Sequence, residues 1–80
     1  MLHHFAPVHI WEGIGVRRAI SDVERAAEWL MKRWPPAFSD TEANVAARLA
    51  CLEAWEDRAP AEYARAAFVD AAREAGILAE

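Results

Sequence analysis

Apolar residues recur along this chain with two different periods, and the change between them divides the sequence. From Phe5 to Ile20 they come at short period, with β-branched and aromatic side chains grouped around Gly13 and Gly15. That reads as a β-hairpin over about 5–20. Beyond Ser21 the spacing becomes three and four, and punctuation by proline and glycine cuts it into three helices, over about 22–34, 40–56 and 60–75. The expected fold is α+β, an N-terminal β-hairpin packed on three α-helices in the order β-β-α-α-α, within one small domain spanning 1–80.

Two registers suit the hairpin. A turn at Glu12-Gly13 puts Ile10 opposite Gly15 and mixes apolar with polar residues on each face. A three-residue loop centred on Gly13 puts Ile10 opposite Val16 and Trp11 opposite Gly15. Val8, Ile10 and Val16 then share one face and His9, Trp11 and Arg17 the other, the segregation a half-buried sheet requires, so this register is preferred.

Ser21-Asp22-Val23-Glu24 has the form of a capping box opening the first helix. Val23, Ala26, Ala27, Leu30, Met31 and Trp34 follow on one helical face, while Trp29 either widens that face or is exposed. Pro35 and Pro36 end the helix. Ser39-Asp40-Thr41-Glu42 repeats the box and opens the second, whose buried stripe is expected to be Val45, Leu49 and Leu52, flanked by Ala46, Cys51 and Trp55. Glu53, Glu56 and Asp57 crowd its carboxyl end against the helix dipole, implying fraying or compensation by Arg58 or another chain. Pro60 sits at or near the first turn of the third helix. Ala64, Ala67, Phe68, Ala71, Ala72 and Ala75 line its inner face, and Gly76 with Ile77 supplies a Schellman stop. The expected core is Val8, Ile10, Val16, Ile20, Val23, Leu30, Trp34, Leu49, Leu52, Ala64, Phe68 and Ala71.

A length of 80 residues leaves room for one core and little for a deep cleft. With 55% apolar residues and four Trp the chain is a folding composition. Its net charge of −4 argues against nucleic acid as a partner. No apolar run reaches the roughly 20 residues of a membrane span, and the start MLHHFAPVHIW does not resemble a signal peptide. The lone Cys51 excludes an intramolecular disulfide and points to a cytoplasmic setting.

Pro7-Val8 opening the first strand, the glycine turn, Trp34-Pro35 closing the first helix, Cys51 in the second, and Pro60-Ala61-Glu62 with Ala64-Arg65 and Ala67-Phe68 in the third carry a family resemblance. Together, over nearly the whole chain, they resemble the short bacterial proteins of domain-of-unknown-function family nine hundred eighty-two. The segment from Ala37 to Asn44 departs from the usual form. The resemblance supports the architecture, brings no established activity, and implies that Trp34, Pro35, Arg65 and Phe68 are structural anchors.

The candidate chemistry is sparse. His3, His4 and His9 have metal-ligand character, but the simpler reading is two solvated histidines at a frayed end and one on a strand, so no metal and no cofactor is expected. Cys51 beside Leu49 and Leu52 reads as a small buried hydrophobe rather than a nucleophile. Glu62 and Arg65, three apart on a helix, suit an ordinary ion pair, with the Arg65 stem over Phe68. Ser21 and Ser39 both read as caps, leaving no catalytic set. The outer hairpin face of His9, Trp11 and Arg17 is the candidate interaction surface: Trp11 either covers Gly15, joins a homodimer interface, or stacks on a planar or anionic ligand. The expected function is a non-enzymatic protein-interaction module, self-associating through the hairpin or meeting a protein partner. A ligand-binding or regulatory domain on the same hairpin face is the alternative.

Overall fold

The computed structural model describes residues 3–79; Met1, Leu2 and Glu80, the ends of the expected domain, lie outside the described residues. Two antiparallel strands, β1 (His4–Trp11) and β2 (Arg17–Asp22), precede three helices, α1 (Val23–Lys32), α2 (Glu42–Trp55) and α3 (Ala61–Glu74), with a 3-10 turn at Pro36–Phe38. This is the expected α+β arrangement.

The hairpin register differs from the expected one. Trp11 lies opposite Arg17, His9 opposite Ala19 and Val8 opposite Ile20, and the Glu12 N–H donates to Val16 O at 2.7 Å. The loop is therefore wider than three residues, because Gly13 and Gly15 both adopt left-handed backbone at φ +68° and +78°. Relative to the preferred register the slip is two residues. An even slip leaves every side chain on its face, so Val8 and Ile10 still point inward, while Val16 is carried into the exposed loop and out of the core.

Phe5 and Val8 are both buried although three residues apart, because the register shifts between His4 and Val8. The irregularity falls between His4 and Val8, a bulge within which the Ala6 and Pro7 carbonyls meet donors from outside the hairpin. Arg65 of α3 supplies them: Nε donates to Ala6 O at 2.7 Å and Nη2 to Pro7 O at 3.3 Å. On its other edge β1 is met by the C-terminal segment, where Trp11 N–H donates to Ile77 O and Ala79 N–H to His9 O. The hairpin edge expected to be exposed is thus half covered by the chain itself.

Helix ends follow the expected chemistry with small displacements. Asp22, not Ser21, caps α1 by accepting from the Arg25 N–H at 2.7 Å, and Thr41, not Ser39, caps α2 through the Asn44 N–H at 3.2 Å. Pro60 is the residue before α3. Gly76 at φ +74° completes the Schellman stop, its N–H donating to Arg73 O and that of Ile77 to Ala72 O.

The core joins Phe5, Val8, Ile10 and Ile20 of the sheet to Val23, Ala26, Trp29 and Leu30 of α1, and to Ala64, Phe68, Ala71 and Ala72 of α3. Trp34, just past α1, meets Phe68 edge-on at 5.5 Å. From α2 the buried set is Asn44, Ala47, Ala50, Cys51 and Ala54. The expected Leu49 and Leu52 are not in it, nor is Val45, and on α1 Met31 is exposed while Trp29 is buried. The physical reason is the partner of α2. Its most extensive contact is with α3, whose inner face is mostly methyl groups. An alanine face against an alanine face brings the two backbones close, and leucines there would hold them apart.

Asn44 is fully buried and bridges the two helices, with Nδ2 donating to Leu30 O at 3.3 Å and Oδ1 accepting from Arg48 Nε at 2.8 Å. Leu30 lies in the last turn of α1, where main-chain carbonyls lack helical partners. Asn44 therefore fixes the start of α2 against the end of α1.

Candidate functional site

The outer hairpin face brings His9, Trp11 and Arg17 onto one surface. Trp11 does not cover Gly15. It stands across the ladder from Arg17, whose guanidinium carbon lies 5.9 Å from the ring centroid. The cation and the aromatic face thus already engage each other. His9 is exposed opposite Ala19 and its carbonyl is bound to the C-terminal segment.

The anchors take distinct positions. Trp34 and Phe68 are core partners, Pro35 precedes the 3-10 turn, and Arg65 closes the β1 bulge. No Glu62–Arg65 ion pair occurs among the described residues; the guanidinium is turned to the strand instead. The expected pair looked only along α3, whereas the bulge carbonyls come from the far end of the chain.

His3 is not at a solvated, frayed end. Its ring stacks on Trp55 with centroids 4.8 Å apart, and Nε2 lies 3.2 Å from Asp57 Oδ1, while its carbonyl accepts from the Val23 N–H. Asp57 holds φ +62° as the left-handed residue after α2, and the Arg58 N–H closes that stop on Glu53 O at 2.8 Å. Arg58 also stands 3.7 Å from Glu56, so the acidic end of α2 is partly compensated. Among the described residues no three His, Cys, Asp or Glu converge in a way that could hold a metal ion.

The surface that sequence reasoning missed lies on α1 and α2. Met31 is 61% exposed, Val45 46%, Leu49 55%, Leu52 51% and Trp55 51%. A groove of about 590 Å³ runs between the two helices, with Met31, Leu52 and Trp55 on its walls and Ala27 and Cys51 at its base. Burial pushes the Cys51 thiol up from 9.0 to about 11, so it is a neutral, poorly nucleophilic floor residue. The signal was present in the sequence: α2 carries two apolar stripes, one of alanines and one of leucines, and the alanine face of α3 matches only the first.

A family profile described as "Protein of unknown function (DUF982)" matches residues 6–79. The chain belongs to that family. No curated protein and no solved structure matches it. Membership in DUF982 supplies no activity to transfer, so the geometry of the two surfaces carries the functional reading. Among the described residues no helix is long and apolar enough to cross a membrane.

Proposed function

We propose that this chain is a small non-enzymatic protein-interaction module that self-associates through the apolar face of α1 and α2. The observation that carries this reading is that α2 is apolar on two sides and only its alanine side is covered within the chain. A helix with apolar residues all round is ordinarily covered all round. The exposed parts of Met31, Val45, Leu49, Leu52 and Trp55 amount to on the order of 500 Å², the upper range for a monomer's largest apolar patch. Two copies face to face would remove roughly 1,000 Å² from water, the lower bound for a specific dimer.

Val45, Leu49 and Leu52 stand at the four-and-three spacing of a helix-pair seam. In an antiparallel pair about a two-fold between Leu49 and Leu52, Arg48 of each copy faces Glu53 of the other. Self-association through the hairpin is less favoured, since the β1 edge is occupied by residues 77–79. A ligand on the outer hairpin face would have to displace Arg17 from Trp11, which ranks that reading below. The buried, unpaired Cys51 and the family resemblance support a bacterial cytoplasmic setting.

Sedimentation equilibrium tests the proposal. The native chain should be dimeric at tens of micromolar, and a Leu49→Glu, Leu52→Glu variant monomeric with unchanged circular dichroism. A native chain that stays monomeric into the millimolar range would overturn it.

A further inference from the structure

The two edges of the hairpin are not equivalent. On β1 the odd residues Trp11 and His9 direct their main-chain groups to the C-terminal segment, whereas the ladder uses the even ones, as the Glu12–Val16 bond shows. By the alternation of an antiparallel pair, Arg18 and Ile20 of β2 therefore face β1, and the N–H and C=O groups of Arg17 and Ala19 point away from it. Those groups have no main-chain partner among the described residues. Beside them, between β2 and α1, lies a polar groove of about 350 Å³ lined by Arg18, Ala19, Ile20, Arg25, Glu28, Trp29 and Arg33.

We propose that this open edge of β2 takes an extended acidic peptide as an added strand. An unpaired edge is a template for main-chain pairing. Because side chains alternate, every second guest residue would fall on the α1 side, between Ile20 and Trp29 and within reach of Arg18, Arg25 and Arg33. Glu12 draws Arg18 and Arg33 together on that side, the latter at 3.4 Å, and Arg33 also lies 5.4 Å over the Trp29 ring. Arg25 makes no ion pair among the described residues. Set against Glu12 and the groove's own Glu28, the three arginines leave this edge an excess of one positive charge on a chain of net charge −4, with Arg25 the arginine free to meet a guest carboxylate. A second copy of this chain is a poor guest, since edge-to-edge pairing would gather both sets of arginines. The groove lies on the adjoining flank of α1 and shares Arg25 and Glu28 with the apolar one but none of Met31, Leu52 and Trp55, so failure of the dimer leaves this site standing.

The test is an amide NMR titration of the full chain with a blocked heptapeptide of alternating threonine and glutamate. Amide shifts and slowed hydrogen exchange should centre on Arg17 and Ala19. The same peptide N-methylated at alternate residues should bind roughly tenfold or more weakly in whichever phase blocks the pairing groups. A lysine-for-glutamate peptide should not bind. Ala19→Pro, which removes an outward donor without touching the ladder, should abolish the response. Should that variant fail to fold, the N-methylated peptides on the native chain decide. No shift at Arg17 and Ala19 with millimolar peptide would overturn the proposal. So would equal binding of both N-methylated forms, which would mean charge contact without strand pairing.

Discussion

Replacing Arg65 with Met tests how the sheet is tied to α3. The guanidinium makes two bonds, to Ala6 O at 2.7 Å and to Pro7 O at 3.3 Å, and both acceptors are main-chain carbonyls in the bulged part of β1. A hydrogen bond from a charged donor contributes about 1.5–3 kcal/mol when well made. The second bond is long and the side chain is half-buried, so water can reach the carbonyls in the variant. The net loss should therefore be about 2 kcal/mol rather than the sum of two full bonds. Methionine keeps most of the apolar stem, which limits the change to the head group. In urea, with a slope near 1 kcal/mol per molar for a chain this small, the midpoint should fall by about 2 M. Arg65→Lys should recover part of the loss, because an ammonium can reach one carbonyl but not fork to two. If Arg65→Met moved the midpoint by less than a few tenths molar, the bulge would be satisfied by solvent, and Arg65 would not be the tie between strand and helix.

Other outcomes are equally specific. Phe68→Ala removes a fully buried ring that meets Trp34 and should cost about 3–5 kcal/mol, read as loss of a cooperative thermal transition; a preserved melting temperature would contradict its place at the centre of the core. Gly76→Ala puts a Cβ on a residue at φ +74° and should cost about 1–2 kcal/mol in a urea titration, although no atom stands in the way of the new methyl. Cys51 should resist a thiol reagent at pH 8 in the native chain and react on unfolding. Its folded pKa lies above the unfolded one, so the unfolded chain loses the proton first as pH rises. Stability should hold below pH 9 and fall by on the order of 2 kcal/mol between pH 9 and 11, against no such fall in Cys51→Ala.

The parts of this fold that could be read in the sequence are those set by local chemistry. The Schellman stop at Gly76 and Ile77 and the Pro60 boundary needed only neighbours in sequence. The helix caps were located to within two residues because Ser, Asp and Thr cluster at both starts, and only three-dimensional geometry chooses among them. The hairpin faces were recovered although the register was not, since a slip of two residues preserves the side to which each residue points. What escaped was set by distant partners. Arg65 meets carbonyls 58 and 59 residues away in sequence, and residues 77–79 reach back to cover β1. On α2 the larger apolar residues were expected inside because burial per residue is greater for leucine than alanine. The opposing helix, lined with alanine, reversed that choice, and the surface proposed for self-association followed from the reversal.

The orientation of α2 can be measured by paired unfolding experiments at submicromolar concentration, where association does not contribute to stability. Ala47→Leu and Ala50→Leu enlarge buried side chains of α2, the helix that packs chiefly on α3, and each should lose about 1–3 kcal/mol. Leu49→Ala and Leu52→Ala trim half-exposed side chains, and each should lose well under the roughly 2–5 kcal/mol of a buried leucine. The enlargements should therefore cost more than the truncations. Leucine truncations more damaging than alanine enlargements would show that the leucines are inside and the proposed interface does not exist.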